Sequence, residues 1–402
     1  MNFAGLQLPA DRNFRLFLLA NVFMGVGMCI DLATFNNYYR DVFHLGVYER
    51  TFLELPRETP GFLVSVLVGI LYALGDIRMA AVANALMGIG MLAFGLIPPV
   101  YAVMLCLVFV YSSGMHIYMP LANTIGLSFA RDGNLGRMLG RIGGINTAAL
   151  VGSTLLLMLA QFLFHPQFMI TFMIGSAGFL AASICLFLMH HQSAPKFKTR
   201  WVFRRVYGLY YWLSLLYGAR KQLFLTFGPW VIVDVFRQSV STMILLTLCI
   251  AILNIGVRPL VGWLTDHKGE RLVLGGEAII LFGVCLTYAF AADFLPPAVV
   301  IVVVGACFII DQAANSVGLA RATYLKKIAV DPADVSPTLS LSVSIDHIAS
   351  MTIPLLGGYV WLHSGVNART EGYKYVFIAG AVLALLNFIS TRAIKIPKDT
   401  AL

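Results

Sequence analysis

Seven ionisable residues lie deep inside long apolar stretches of the sequence, where a charge needs a partner or water. They are Asp31, His116, Arg220, Lys221, Asp311, Asp346 and His347. A charge at the centre of a bilayer costs about 2.5–3.5 kcal/mol on insertion scales, so such side chains persist where they pair with one another or line a water-filled path. Carboxylates and imidazoles in such places can transfer protons, and guanidinium or ammonium groups can bind anions.

The permanent charges among these residues do not balance. Three carboxylates, Asp31, Asp311 and Asp346, stand against two cations, Arg220 and Lys221. The low dielectric of a membrane interior disfavours the excess negative charge. We therefore expect one carboxylate to hold a proton, or one of the two buried histidines to be protonated.

A group whose protonation depends on what else occupies a cavity can couple protons to transport. We predict this role for Asp31 or Asp346, with His347 as a further titratable group. The alternative is that Asp31, Arg220 and Lys221 form a static ion-pair cluster that braces two helices.

Arg220 and Lys221 are the strongest indication of the substrate. Neighbouring residues point about 100° apart on a helix, so the two cations cannot both face one partner. One is then available to an anionic group, and we predict proton-coupled transport of a small organic anion. Helical spacing adds polar neighbours on the faces of His116 and Asp311. The residues predicted to bind substrate are Arg220, Lys221, His116, Asn123, Asp311 and Asn315.

The composition indicates which elements hold these residues. The chain of 402 residues is 59% hydrophobic and 12% charged, whereas soluble domains have about 25% charged residues. Apolar stretches of about 20 residues, enough to span a bilayer, recur along the whole chain. The net charge of +9 arises beside these stretches and not in a basic stripe with exposed aromatics, which argues against a nucleic-acid partner.

We predict twelve transmembrane spans. With both termini in the cytoplasm, the inner segments hold 19 of the 28 Lys and Arg residues and the outer segments six, which favours this orientation. Asp234, Arg258 and Glu277 lie near span ends and could reach the interface. The spans are 14–38, 60–75, 79–97, 100–128, 142–164, 168–189, 207–236, 240–264, 272–292, 298–320, 338–362 and 373–394.

Two internal matches indicate that the chain repeats itself. Residues 122–127 (ANTIGL) match 314–319 (ANSVGL), and 68–71 (VGIL) match 261–264 (VGWL), at nearly the same offset. Six plus six spans form the parallel-repeat architecture of secondary transporters. The predicted fold is therefore all-α, with an N-terminal six-helix bundle (1–193), a basic cytoplasmic linker (194–206) and a C-terminal six-helix bundle (207–402).

The segment 262–271 (GWLTDHKGER) resembles the cytoplasmic loop motif of the major facilitator superfamily, G-x-x-x-D-x-x-G-R-R/K. The resemblance implies the fold of that family, and it implies that the motif latches one conformation through charge-assisted contacts. The residues it assigns to this latch are Gly262, Asp266, Gly269 and Arg271, with Arg258 as a partner. In the first half Ala73 replaces the aspartate, so the corresponding latch is weakened or rebuilt there.

Other functions have weaker support. Four Met-x-x-x-Met pairs and His347-x-x-x-Met351 suit a soft metal such as Cu(I), so a copper-like transporter is an alternative. A drug or small-molecule efflux pump is another, although the G-P-x-x-G-G sequence of many drug antiporters is missing from the fifth span. Since no Ser/His/Asp set, HExxH or Walker sequence occurs, we expect neither an enzyme nor a bound cofactor. We expect a monomer in a bacterial cytoplasmic membrane, with the bilayer, an anionic substrate and the proton as partners.

Overall fold

A computed structural model of the chain describes residues 11–129, 135–190, 203–365 and 367–396. Apart from short turns these residues are helical, and no strand occurs among them. Residues 194–202 of the predicted linker lie outside the described residues.

Fifteen α-helices follow one another in the described ranges. In chain order they are α1 (Arg12–Asp41), α2 (Val47–Phe52), α3 (Glu54–Phe62), α4 (Val64–Leu71), α5 (Gly75–Leu96), α6 (Tyr101–Ser128), α7 (Leu135–Phe164), α8 (Phe168–Phe187), α9 (Gly208–Trp230), α10 (Val240–Lys268), α11 (Glu270–Phe294), α12 (Pro297–Ala314), α13 (Gly318–Ile328), α14 (Val335–His363) and α15 (Ala368–Thr391).

Ten helical stretches within the described residues are long and apolar enough to cross a membrane. The count is lower than the twelve predicted spans for two reasons: two spans are joined in one stretch, and one further span is not among the ten. The second and third predicted spans run together as Val64–Leu96, interrupted by a 3₁₀ turn at Tyr72–Leu74 and by Gly75 at φ 71°. Glycine takes this left-handed conformation without steric cost, which allows the chain to turn there.

The other span outside the ten is the seventh, α9. It carries Arg220, Lys221 and Gln222 in its centre and contains Pro229 near its end. The helix then passes into a π-helical turn, Val231–Val235. Proline removes a backbone donor, and π turns commonly occur where a helix is interrupted in this way.

The described residues form two compact units. The first comprises those within 1–38 and 59–196, and the second those within 39–58 and 197–402. The sequence-based bounds placed 39–58 with the N-terminal bundle, whereas α2 packs against α14 of the second unit. The bounds of the two bundles otherwise stay a prediction.

Close approach of helices in the first unit depends on small residues. A side chain at Gly178 of α8 would lie 2.8 Å from the carbonyl oxygen of Phe23 and 3.1 Å from Cβ of Val26, both in α1. Membrane helices pack through such small residues because lipid provides no hydrophobic driving force between them.

We therefore expect Gly178→Ala to lower the stability of the protein by about 1–3 kcal/mol, since the added methyl group forces α1 and α8 apart. Gly152→Ala in α7 is the matched control, because nothing lies within 4 Å of a Cβ there. Thermal unfolding in detergent, followed by circular dichroism, measures both variants. Equal unfolding temperatures for the two would contradict the packing role of Gly178.

Candidate functional site

Arg220 of α9 is the centre of a buried polar cluster in the second unit. Its Nη1 donates to Asp311 Oδ1 of α12 at 2.6 Å, and its Nη2 donates to Glu277 Oε1 of α11 at 3.2 Å. A longer bond of 3.4 Å joins Nη2 to Asn315 Oδ1. The side chains of Arg220 and Asp311 are only 5% and 1% exposed. One guanidinium thus connects three helices in a site closed to solvent.

The end of α12 brings Asp311 and Asn315 to this cluster. The helix stops at Ala314, and Asn315–Val317 form a 3₁₀ turn before α13 begins. Gln312 donates to the second oxygen of Asp311 at 3.1 Å. The face shared by Asp311 and Asn315 matches the helical spacing predicted from the sequence.

Glu277 is the member of this cluster that sequence reasoning missed. The sequence indicated that it could reach the membrane interface, but in the structure it is buried and bonded to Arg220. Because Arg220 reaches across from α9 to α11, Glu277 obtains a partner without moving to the interface. Its position inside a 25-residue apolar helix was the available signal.

Lys221 forms a separate ion pair with Asp346 of α14. Lys221 Nζ lies 2.5 Å from Asp346 Oδ2, and both side chains are 19% exposed. Asp346 Oδ1 is buried and has no hydrogen-bond partner among the described residues. Gly218 allows this pairing, since a Cβ there would lie 3.0 Å from Cα of Asp346. The adjacent cations of α9 therefore face different carboxylates, as their helical spacing requires.

Tyr217 lies among the cations of this region. The guanidinium carbon of Arg321 in α13 is 3.2 Å from the ring centroid, and that of Arg220 is 5.1 Å away. Lys221 Nζ lies at 5.8 Å. The negative face of an aromatic ring attracts such cations, which adds to the carboxylate contacts.

A second buried network lies between α2, α3, α9 and α14. Glu54 accepts bonds from Arg50 at 2.5 Å and from Arg57, and also accepts from Gln222 of α9 at 2.9 Å. Glu54 and Gln222 are fully buried. From the sequence, Arg50 and Arg57 belonged to an outer connecting segment. Only the folding of that segment into two short helices shows that it contributes to the interior of the second unit.

This network includes His347, a predicted proton-coupling residue. His347 Nδ1 lies 2.9 Å from Glu58 Oε2, and Arg57 lies 2.7 Å from the other oxygen of Glu58. Although His347 and Asp346 are adjacent on α14, they have different partners, Glu58 and Lys221. The role of His347 in proton coupling stays a prediction.

Three predicted site residues lie in the first unit. Asp31 of α1 is partly buried, and Asn123 of α6 is exposed. His116 of α6 is buried, with Nδ1 at 3.0 Å from the hydroxyl of Ser112 and 2.9 Å from its carbonyl oxygen. Their predicted roles in proton coupling and substrate binding stay predictions.

The predicted latch residues lie at the junction of α10 and α11. Gly269 separates these helices at φ 84°, a conformation that favours glycine. Gly262 is partly buried, whereas Asp266 and Arg271 are exposed and form no hydrogen bond or ion pair with the described residues. Glu270, which replaces a basic residue of the motif, instead pairs with Lys327 of α13 at 2.6 Å.

A polar cavity of about 340 Å³ lies between α10 and α12. One turn separates Asn254 from Arg258 on α10, and the facing wall belongs to α12 and the turn that follows it. Ser316 donates to Asn254 across the cavity at 3.3 Å. The lining residues are Asn254, Arg258, Gln312, Asn315, Ser316 and Leu319.

Neither a protein-family model nor a curated protein matches the sequence. Solved structures match it along nearly its whole length. The nucleoside transporter NupG aligns with a TM-score of 0.74 at 14% identity, covering 96% of this chain and 99% of NupG. The chain has the major facilitator fold. The predicted architecture of two pseudo-symmetric six-helix bundles is therefore confirmed.

Two further major facilitator structures have the same coverage of this chain. A bacterial homologue of the iron transporter ferroportin aligns with a TM-score of 0.73 at 17% identity, covering 96% of this chain and 98% of the homologue. A D-xylose–proton symporter aligns at 0.69 and 14% identity, covering 96% and 97%. All three are membrane transporters with different cargoes, so the shared fold does not identify the substrate of this chain.

The two cations of α9 differ in burial, and we expect them to differ in their effect on stability. Arg220→Met leaves Asp311 and Glu277 buried without their cation, a loss of about 3–5 kcal/mol. Lys221→Met leaves only the partly exposed Asp346 and should cost clearly less. Thermal unfolding of the purified protein in detergent measures both.

The double variant Arg220→Met, Asp311→Asn tests the cause of the first loss. Arg220→Met leaves the carboxylates of Asp311 and Glu277 unpaired. Removing the charge of Asp311 should therefore recover part of the stability, which a double-mutant cycle quantifies. A double variant no more stable than Arg220→Met alone would refute the assignment of the loss to unpaired charge.

Proposed function

We propose that the chain is a secondary transporter that works by alternating access and moves a small organic anion together with a proton. The single observation that carries this proposal is the Lys221–Asp346 pair, the partly exposed ion pair beside the closed Arg220 cluster. The protein would act as a monomer in a cytoplasmic membrane, with both termini in the cytoplasm.

The two ion pairs of α9 differ in how readily they can exchange partners. Arg220 uses both terminal nitrogens on Asp311 and Glu277, and all three side chains are at most 5% exposed. Lys221 has one carboxylate partner, and water or a ligand can reach both groups. We therefore assign a structural role to Arg220 and the exchangeable role to Lys221.

Exchange at Lys221 provides the coupling. When Asp346 takes up a proton, its charge is neutralised and the ammonium of Lys221 becomes available to a carboxylate or phosphate. When the proton leaves, the carboxylate of Asp346 competes for Lys221 and favours release of the substrate. One proton and one negative charge then move together, so the ammonium is never left unpaired in the membrane.

The free oxygen of Asp346 supports its role as the proton carrier. Oδ1 is buried without a described partner while Oδ2 binds Lys221. A proton can therefore occupy Oδ1 without first displacing a donor. The xylose transporter named above is a proton symporter, so this fold is compatible with such coupling.

A neutral sugar or nucleoside is the second candidate substrate. The amides that line the cavity between α10 and α12 both donate and accept hydrogen bonds, as hydroxyl-rich ligands require. NupG and the xylose symporter carry a nucleoside and a sugar by name. This candidate predicts binding that does not depend on ligand charge.

Proteoliposomes loaded with a pH-sensitive dye test the proposal. We expect an added small carboxylate to drive proton uptake by the wild-type protein. Asp346→Asn should abolish proton uptake while retaining exchange of the anion across the membrane, because a neutral partner no longer competes for Lys221. Lys221→Gln should abolish both.

Lys374→Gln is the matched control, since Lys374 also pairs with an aspartate, Asp293, at the end of another helix. It should transport as the wild type does. Proton uptake by Asp346→Asn equal to that of the wild type would rule out Asp346 as the carrier. The absence of proton uptake with every carboxylate tested would rule out proton–anion symport.

A further inference from the structure

Arg258 is a cation within membrane helix α10, and its side chain has no partner among the described residues. Arg258 lies six residues before the predicted end of its span at residue 264, about 9 Å along the helix axis, and α10 continues to Lys268. The side chain is exposed and forms no hydrogen bond or ion pair with the described residues. Arg220 and Lys221, by contrast, both have carboxylate partners.

The cavity beside Arg258 contains neutral polar groups. Asn254, Gln312, Asn315 and Ser316 contribute three amides and one hydroxyl to its lining, and no carboxylate of the described residues lines it. Among these described residues the guanidinium is therefore the single formal charge at the wall of a space of about 340 Å³. A site with one cation and several groups that both donate and accept is complementary to a monoanion that carries hydroxyls.

The cavity is connected to the Arg220 cluster through two of its lining residues. Gln312 donates to Asp311, and Asn315 accepts from Arg220. A ligand that hydrogen-bonds these amides would compete with the bonds they make to the cluster. Occupancy of the cavity can thereby alter the contacts between α9 and α12.

We propose that this cavity binds a hydroxylated monocarboxylate, with Arg258 holding the carboxylate and the amides holding the hydroxyls. This assignment rests on the proposed transport of an organic anion and names the subsite and the class of anion. A planar guanidinium binds a carboxylate through two parallel hydrogen bonds, which Lys221 cannot do. The carboxylate is held by Arg258 on entry and passes to Lys221 when Asp346 is protonated, so Arg258 determines specificity and Lys221 acts in coupling.

Isothermal titration of the purified full chain tests the site with two pairs of probes. D-Gluconate is compared with sorbitol, and lactate with propylene glycol, because each neutral partner differs only in having a CH₂OH group in place of the carboxylate. We expect at least one carboxylate to bind more tightly than its alcohol. Arg258→Gln should weaken that binding about tenfold or more, and Arg258→Lys should restore part of it.

Arg392→Gln, at an exposed arginine after the last helix, is the control and should bind as the wild type does. Equal binding of each carboxylate and its alcohol would overturn the proposal in favour of a neutral ligand. A protein that binds inorganic phosphate but neither D-gluconate nor lactate would also overturn it. Full carboxylate affinity in Arg258→Gln would overturn the role of Arg258.

The same measurements separate this inference from the proposed function. Carboxylate-driven proton uptake that is unchanged in Arg258→Gln would refute the subsite and leave symport standing. Arg258-dependent carboxylate binding without proton uptake would support the subsite and refute proton coupling through Asp346.

Discussion

Charge neutralisation inside a membrane is the constraint on which the second unit depends. Helix α9 carries two adjacent cations at its centre, and a bilayer gives neither of them a favourable environment. Their directions, about 100° apart, send them to different helices. Asp311 and Glu277 meet one cation and Asp346 meets the other, so these ion pairs hold α11, α12 and α14 around α9.

Similar ion pairs differ in burial, and this difference is the basis of the different roles proposed for them. The Arg220 cluster is closed, and breaking it would leave charges without solvent, so it suits a structural function. The Lys221–Asp346 pair is partly open, and one oxygen of Asp346 has no hydrogen-bond partner among the described residues, which suits reversible protonation. Arg258 borders a polar cavity without a described partner, which suits an anionic ligand. One type of interaction can thus provide support, coupling and recognition.

Much of the fold was predictable because it follows from composition and length. Apolar stretches of about 20 residues can satisfy their backbone in a bilayer only as helices, and the repeat of 122–127 at 314–319 indicated two related halves. Helix geometry indicated that the two α9 cations face different partners, but the expectation that one of them is left available was wrong, because both pair with carboxylates. A break between the second and third spans was predicted near residues 75–79, but its place at Gly75 was less accessible, because it depends on one backbone angle.

The sequence by itself determined the helical membrane fold and the ionisable residues that must be neutralised, since both follow from local hydrophobicity and the cost of burying charge. Only the tertiary structure decided which partner each residue obtains. Glu277 near a span end and Glu54 in a connecting segment are both buried partners, for Arg220 and Gln222 respectively. The two residues of each pair are far apart in the sequence, by 57 positions in the first pair and by 168 in the second. The periodicity of one helix does not indicate which face of another helix packs against it.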